Sequence, residues 1–281
     1  MITEVVLKEK ETDQKFNGFS FEEIGDDHLY TGIETPMKPN AFAISDEEKK
    51  KKITSLFAEI MNVMGLDLTD DSLKGTPNRV AKMYIDEIFS GLNPANKPKI
   101  ALFDNKYQYN QMLVEKNITF YSNCEHHFVP IIGKAHIAYM SSGKVIGLSK
   151  LNRVVQYFSK RPQVQERLTN QIAKELQGIL GTEDVAVIID AEHLCVSSRG
   201  VQDVNSATVT SFYGGVFQQK SNRKEFLEYI KAVYPPSNPK YDGIYQSALP
   251  DTLVWRNRLS YNEDLVENYL RHPAFADFPV V

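Results

Sequence analysis

Residues 147–191 read GLSKLNRVVQYFSKRPQVQERLTNQIAKELQGILGTEDVAVIIDA, and this stretch decides the fold class. It predicts two amphipathic helices, the first capped by Ser149 and the second following Pro162 and ending at Gly181. A continuous apolar strand over residues 184–191 comes next. The two apolar faces comprise Leu151, Val154, Val155 and Phe158, then Val164, Leu168, Ile172 and Leu176.

Strands are predicted on both sides of this helix pair. Residues 117–122 alternate in polarity, and residues 131–140 read as a second strand before the helices. Residues 196–198 and 207–212 are predicted strands after them, the latter rich in Thr and Val. The order of strands, two helices and strands indicates an α+β fold with an antiparallel sheet and both helices on one face.

A helical segment precedes the sheet region. Ser45 and Glu48 form a capping box for a first helix, which Gly65 can end. Thr76 is the predicted cap of a second helix that stops near Gly91, with Pro77 at its first position. A last helix is predicted to be capped at Ser221 or Asn222. The first two helices present the apolar positions Ile53, Leu56, Phe57, Ile60, Met61 and Met64, then Val80, Met83, Tyr84 and Ile88.

The two ends of the chain differ in character from the rest. Residues 1–30 are polar and are expected to be an N-terminal extension. From residue 234 to 281 the chain is rich in proline and aromatic residues and contains Trp255, which predicts a packed C-terminal extension. We therefore expect a main domain over residues 31–233, with a helical part at about 45–92 and a sheet part at about 110–233.

Composition excludes several classes of function. The 281 residues are 42% hydrophobic, enough for a core, and the formal net charge of −4 offers no basic field for nucleic acid or an anionic membrane. No apolar run has the length of a membrane helix, and the start lacks a signal-peptide pattern. With two cysteines the chain is not a disulfide scaffold, so a cytoplasmic protein is expected.

The densest chemical signal is SNCEHHF, in which Cys124, His126 and His127 lie within four positions. The second cysteine, Cys195, follows His193 in EHLC. Two thiolates and an imidazole suit zinc, and three protein ligands leave a position for water, as in catalytic zinc sites. From spacing alone, an equally good alternative is that the cysteines are buried structural residues and the histidines lie at strand ends. His136, in mid-strand, is interpreted as structural.

Two further groups of residues could bind an anion. Ser149 and Lys150 lie at a predicted helix start, with Arg153 one turn on, and a helix N-terminus favours phosphate. Arg199 follows Cys195 by four positions and could clamp a phosphate. Taken alone, the Ser149 and Lys150 pair is better explained as a capped surface helix with solvated charges, and Arg199 could instead pair with a surface carboxylate.

Four stretches together resemble the GTP cyclohydrolase I family. They are CEHHFVPIIGKAHIAY, GLSKLNRVVQYFSKRPQVQERLTNQIA, DAEHLCVSSRGVQ and SFYGGVF, in that order along the chain. The resemblance runs from about residue 31, through LDLTDDSLKGTPNRVAKMYIDEIFSGL, to about residue 233. Both ends of the chain lie outside it.

The resemblance implies a role for each matching residue. By it, Cys124, His127 and Cys195 hold zinc, His126 and His193 are acid and base groups, and Glu166 recognises the guanine edge beside Gln165. Ser149, Lys150, Arg153 and Arg199 match residues that hold triphosphate and ribose, Ser149 also lying near the final rearrangement. Arg79 and Lys82 match cations that reach in from a neighbouring subunit.

The implied reaction is zinc-dependent hydrolysis of GTP to 7,8-dihydroneopterin triphosphate with release of formate, the first step of pterin and folate biosynthesis. The implied fold is the tunnelling fold, and the implied assembly is a toroidal homodecamer with sites at subunit interfaces. The alternative is a zinc-stabilised regulatory or scaffold paralogue that binds nucleotide without turnover. A nitrile-reducing relative would need a cysteine apart from zinc. A purine deaminase would need H-x-E and P-C-x-x-C elements, which the chain lacks.

Overall fold

The structure is a computed structural model that describes residues 32–141 and 143–231. The predictions for residues 1–30 and 234–281, including Trp255 as an anchor, lie outside these residues. None of the helices in the described part combines the length and the hydropathy that a membrane span requires. The described elements form an α+β fold, as the order of predicted elements indicated.

Six α-helices and seven strands make up the described chain. The helices are α1 (Asp46–Val63), α2 (Thr76–Lys82), α3 (Leu148–Ser159), α4 (Gln165–Leu180), α5 (Leu194–Ser197) and α6 (Lys220–Lys231). The strands are β1 (Leu102–Asp104), β2 (Met112–Cys124), β3 (Pro130–Met140), β4 (Lys144–Ile146), β5 (Pro162–Gln163), β6 (Val185–His193) and β7 (Thr208–Tyr213). A π-helix (Met83–Ile88) continues α2, and three short 3-10 turns complete the set.

The main sheet has five strands in the order β5-β2-β3-β6-β7. Strands β2, β3, β6 and β7 are antiparallel to their neighbours, which confirms the predicted antiparallel core. The two-residue β5 adds a parallel edge beside Asn123 and Cys124, so the sheet as a whole is mixed. Strands β1 and β4 form a separate two-stranded sheet. Neither of these two features was predicted.

The predicted helix pair covers one face of this sheet. Leu151 of α3 and Ile172 of α4 are fully buried against alternate residues of β6, including Val187 and Ile189. The intervening Ala186 and Ile188 point to the opposite face, where they pack with the buried phenylalanines of the C-terminal part, Phe217 and Phe226. This alternation is the period-2 pattern of a strand buried on both sides.

A β-bulge in β2 sets which face its last residues occupy. Pairing with β3 shifts between Glu115 and Ile118, and Asn117 adopts a positive φ of 61°. One extra residue inverts the side-chain alternation beyond it. As a result Ile118 and Cys124 lie in the cluster under α3 and α4. Asn117 N–H also donates to Nδ1 of the buried His136 (3.3 Å), consistent with a structural histidine.

Several predicted helix starts are displaced by one to three residues. The capping box of Ser45 and Glu48 is present as predicted. The cap of α2 is Gly75 rather than Thr76, and α3 begins at Leu148 after Gly147, so Ser149 is inside the first turn. Helix α6 starts at Lys220. Of the apolar face predicted for α1, Met61 is buried, whereas Leu56, Ile60 and Met64 are exposed on this chain.

The predicted strand over residues 196–198 is wrong, because the chain forms the helical turn α5 there. The Ser198 N–H donates to the Leu194 carbonyl oxygen (2.9 Å), and the Ser198 hydroxyl donates to the same oxygen (2.6 Å). Such local serine bonds to the backbone four residues earlier compete with strand pairing. Only β7 follows as a strand, close to the predicted 207–212.

The N-terminal helical part docks on the end of α3 through Gly91. Its N–H donates to the Lys160 carbonyl oxygen (2.9 Å), and a Cβ at this position would collide with the backbone oxygens of Tyr157 and Lys160. Gly178, exposed in the last turn of α4, has no atom within 4 Å of the position a Cβ would take. The two glycines therefore offer a matched test of close packing.

We expect Gly91→Ala to lower the free energy of unfolding by about 1–3 kcal/mol, because the methyl group must displace backbone. Gly178→Ala should raise it by about 0.5–1 kcal/mol, because alanine is the better helix former. Urea denaturation followed by circular dichroism measures both. A Gly91→Ala variant as stable as the wild type would show that this docking is loose.

Candidate active site

The end of β2 and the turn after it present the first group of site residues. Cys124 is the last residue of β2, and its N–H donates to the Val129 carbonyl oxygen (2.9 Å). The Phe128 N–H returns to the Cys124 carbonyl oxygen (2.8 Å), with Phe128 at a positive φ of 54°. This tight turn, residues 124–129, holds His126 and His127 at the surface while Cys124 is buried.

Cys195 reaches the same place from β6 and α5. Strand β6 ends at His193, which pairs with Ile131 at the start of β3, and Asn123 pairs with Pro130 beside it. Ligand atoms of Cys124, His127 and Cys195 all lie within 4.8 Å of one another. The Cys124 sulfur is also 3.5 Å from Nδ1 of His126. The structure thus brings together the three residues that the resemblance assigned to a metal.

The donor chemistry of this group fits a divalent cation. Burial and the neighbouring Cys124 sulfur raise the pKa of the Cys195 thiol above its ordinary value. Two sulfurs this close are unfavourable as free thiolates, whereas a bound cation favours their deprotonated form. Two thiolates and one imidazole are a donor set typical of zinc, with room for a fourth ligand.

Arg199 lies against the same group. One of its guanidinium nitrogens is 3.2 Å from Nε2 of His127. Since a guanidinium only donates, Nε2 accepts in this contact. Ligation of a metal by either ring nitrogen of His127 would remove that acceptor, so Arg199 would turn to another acceptor when a metal binds. A phosphate oxygen is one such acceptor.

Gln165, at the start of α4, orients His193. The Gln165 amide nitrogen lies within 3.1 Å of three acceptors on β6 and β7, namely the carbonyl oxygens of Ile189 and Thr208 and the hydroxyl of Thr210. Its amide oxygen therefore faces His193, 2.7 Å from Nε2. This arrangement places the ring proton on Nε2 and leaves the Nδ1 lone pair of neutral His193 available.

Burial lowers the pKa of His193 below its ordinary value, and the nearby Glu166 carboxylate opposes that shift. Neutral His193 therefore stabilises the fold above its ordinary pKa of about 6.5, and this contribution is lost as the pH falls below that value. Glu166 is exposed in the first turn of α4, where the helix dipole favours a carboxylate. Among the described residues its carboxylate accepts no hydrogen bond, so it can bind a ligand.

The structure does not bring Ser149, Lys150 and Arg153 to this group within one chain. Helix α3 runs in the same direction as β2: Asn152 bonds to Glu115 (3.2 Å) and Gln156 to the Thr119 carbonyl oxygen (2.7 Å). The start of α3 therefore lies at the end of β2 opposite Cys124. At about 3.3 Å per strand residue, the two ends are roughly 30 Å apart.

Arg79 and Lys82 are exposed on α2. Within residues 32–141 and 143–231 neither side chain makes a hydrogen bond or ion pair with the cysteine and histidine group. The Arg79 guanidinium lies over Gly75 of its own helix. Lys150 and Arg153, if they act at this site, must therefore act across a subunit boundary, whereas Arg199 is already in place.

Sequence reasoning assigned no role to two residues that the structure places here. Glu125, between Cys124 and His126, forms a bidentate ion pair with the buried Arg167 of α4. Glu125 is visible inside SNCEHHF, but its partner lies 42 positions away, and a charged residue on a helix normally reads as exposed. The structure shows instead that Arg167 is only 4% exposed and is paired with Glu125.

An α+β fold with a Cys-His-Cys donor set beside histidines and a carboxylate is typical of a metal-dependent hydrolase. A family model for GTP cyclohydrolase I matches residues 53–231. A protein named GTP cyclohydrolase 1 from Flavobacterium johnsoniae is 62% identical over 210 residues, covering 75% of this chain and 94% of the relative. The chain therefore belongs to the GTP cyclohydrolase I family.

Two other relatives carry the same name. The protein from Vibrio parahaemolyticus is 55% identical over 201 residues, covering 71% of this chain and 92% of the relative. The protein from Citrobacter koseri is 53% identical over 201 residues, covering 71% of this chain and 90% of the relative. At such identities, over nearly the whole length of each relative, the resemblance stated from the motifs is confirmed.

We expect Gln165→Glu to raise the pKa of His193, because a carboxylate replaces a neutral acceptor next to Nε2. The limb of the pH profile of kcat/KM that reports His193 should move to higher pH. Gln171→Glu is a matched control, since Gln171 is equally buried on α4 but bonds to Gln163 and Ile33 instead. Equal shifts in both variants would contradict the orienting role of Gln165.

Proposed function

We propose that this protein converts GTP to 7,8-dihydroneopterin triphosphate and formate. The observation that carries the proposal is the convergence of Cys124, His127 and Cys195 within 4.8 Å, beside His126, His193 and Glu166. Family membership over residues 53–231 supports the same reaction. C8 of guanine leaves as formate after two additions of water, and ring closure releases one water, so the net reaction consumes one.

The metal is zinc in this proposal, held by Cys124, His127 and Cys195. Bound there, zinc supplies Lewis-acid activation of water near neutral pH. The chain provides proton transfer beside it. His126, whose Nδ1 lies 3.5 Å from the Cys124 sulfur, gives a proton to N7 of the purine, and His193 assists ribose opening through Nδ1.

Substrate recognition uses groups of opposite charge. Glu166 accepts hydrogen bonds from the guanine edge beside Gln165, and its unengaged carboxylate supports that role. The triphosphate is held by Arg199 together with Ser149, Lys150 and Arg153, and by Arg79 and Lys82. Because Ser149, Lys150 and Arg153 lie at the other end of β2 from Cys124 on one chain, the complete site needs residues from more than one copy.

We therefore infer a homo-oligomer with active sites at its subunit interfaces. More specifically, we propose that the subunits have the tunnelling fold and form a homodecamer. The two edges of the main sheet support this inference because each has an unpaired side in the described part of the chain. Within the described residues, β7 pairs only with β6, and β2 over residues 112–122 pairs only with β3. Val209 on β7 and Tyr121 on β2 are 64% and 53% exposed. Open edges of this kind join head to tail into a closed ring.

The remaining parts of the proposal follow the expected organisation. The catalytic domain spans residues 31–233, with extensions at 1–30 and 234–281, in a cytoplasmic enzyme that binds neither nucleic acid nor a membrane. A formal net charge of −4 is compatible with an anionic substrate because the binding cations act locally.

Incubation with GTP tests the reaction directly. We expect stoichiometric formate and, after oxidation, a fluorescent pterin, with both products lost on chelation and restored by added Zn²⁺. His126→Ala should keep zinc but lose formate release by roughly 10²–10⁴-fold, whereas His127→Ala should lose the zinc itself. Metal content by mass spectrometry and formate by a coupled assay distinguish the two variants.

Nucleotide binding without formate would instead favour the regulatory or scaffold alternative. Full activity of the chelated protein would exclude the zinc proposal. Unchanged formate production by His126→Ala would remove His126 from its proton-transfer role and leave the metal group in place.

Mixing of variants tests the interface site. His126→Ala damages one end of the sheet, and a Lys150→Met, Arg153→Met double variant damages the other. Co-expressed chains should recover about a quarter of wild-type activity, because a quarter of interface sites draw both ends from undamaged copies. If the mixture stays at the level of its parents although native mass spectrometry shows mixed oligomers, the site lies within one chain.

A further inference from the structure

Arg167 joins three separate segments of the chain at one buried point. Its two terminal nitrogens bind the Glu125 carboxylate, and its Nε donates to the Gly32 carbonyl oxygen (2.9 Å). The side chain is only 3% exposed. Each of the three guanidinium nitrogens thus donates a hydrogen bond, which offsets the cost of burying the charge.

The first of these segments is the turn that carries the metal group. Glu125 lies directly between Cys124 and His126, and its N–H donates to the Gln163 carbonyl oxygen of β5 (3.0 Å). The turn is therefore attached at Glu125 by backbone on one side and by a two-bond ion pair on the other. Planar bidentate pairing restrains rotation as well as distance.

The second segment is the first turn of α4. Arg167 follows Gln165, which orients His193, and Glu166, which faces that histidine. The ion pair consequently links the turn of Cys124 and His127 to the helix start that holds the other half of the site. A shift of α4 relative to β2 would stretch this link.

The third segment is residues 32–35, the strap that lies across α4. Besides Gly32, its Ile33 carbonyl oxygen accepts from Gln171 (2.8 Å), and its Thr35 hydroxyl accepts from Arg161 (3.5 Å). Arg161 also donates to the Gly91 carbonyl oxygen (2.9 Å) and stacks on Tyr157 and Phe158. Arg161 is thus a second strap-binding arginine, and among the described residues it makes no hydrogen bond or ion pair with the metal turn.

We propose that Glu125 and Arg167 are positioning residues that hold the metal-binding turn in register with the start of α4, and that the strap fixes Arg167 for this task. The inference deepens the proposed function, on which it rests for its catalytic readout. The pair touches neither substrate nor metal. It acts through the placement of Cys124, His126 and His127 against Glu166 and His193, as outer partners of metal ligands do.

The test compares Arg167→Lys and Glu125→Gln with Arg161→Lys. Lysine keeps the charge of Arg167 but cannot bind a carboxylate in two places, and glutamine keeps the shape of Glu125 but not its charge. We expect both variants to weaken zinc about 10–100-fold in competition with a chromophoric chelator. At saturating zinc, kcat should fall about 10-fold or more with KM for GTP nearly unchanged, because a misplaced turn impairs chemistry.

Hydrogen exchange provides a readout that does not depend on the reaction. Exchange at the Glu125 amide, protected by Gln163, should accelerate about 10-fold or more in Arg167→Lys and not in Arg161→Lys. Arg161→Lys should lower thermal stability while zinc affinity and kcat stay within about twofold of wild type.

Two outcomes would overturn the proposal. One is unchanged zinc affinity and unchanged Glu125 exchange in Arg167→Lys and Glu125→Gln, with only thermal stability reduced. The other is an equal loss in Arg161→Lys. If the wild type makes no pterin, the proposed function fails, but faster Glu125 exchange in Arg167→Lys alone still supports the positioning role, and unchanged exchange still contradicts it.

Discussion

The site depends on the register of three antiparallel strands. Asn123 opposite Pro130 and Ile131 opposite His193 bring the ends of β2 and β6 to either side of the start of β3. A slip of one residue in either pairing would move the donor side chains to the other face of the sheet. The bulge before Ile118 is part of the same constraint, because it turns Cys124 toward the helices. The close approach of Cys124, His127 and Cys195 depends on this register.

Buried polar groups fix the orientation of the site side chains, which apolar packing alone does not determine. Gln165 is 2% exposed and uses its amide on β6, β7 and His193, and Arg167 binds Glu125 and Gly32. Leaving either side chain without its partners would cost several kcal/mol in such surroundings. Hydrophobic contacts between α3, α4 and the sheet stabilise the layers, whereas these bonds set the orientation of individual site residues.

Sequence patterns predicted the elements better than their ends. Residues 117–122 and 131–140 lie within β2 and β3, and the helix that ends at Gly181 does so in a left-handed conformation. The strand expected at 196–198 fails because two serine hydroxyls bond to carbonyl oxygens one turn earlier. The cap expected at Ser149 is wrong because Gly147, whose backbone is extended, is the cap and α3 already begins at Leu148. Local competition of this kind leaves little trace in hydrophobic periodicity.

The sequence by itself determined the fold class and the pair of helices on one face, because apolar periodicity is a local property. The residues expected at the metal group came from the resemblance of its motifs to a family, because spacing alone left the metal open. Only the tertiary structure decided that Glu125 meets Arg167 and that Ser149, Lys150 and Arg153 lie at the opposite end of β2 from Cys124. Those relations depend on which strand ends meet and which way α3 runs along the sheet. Pairing across tens of residues is set by packing, and no local pattern encodes it.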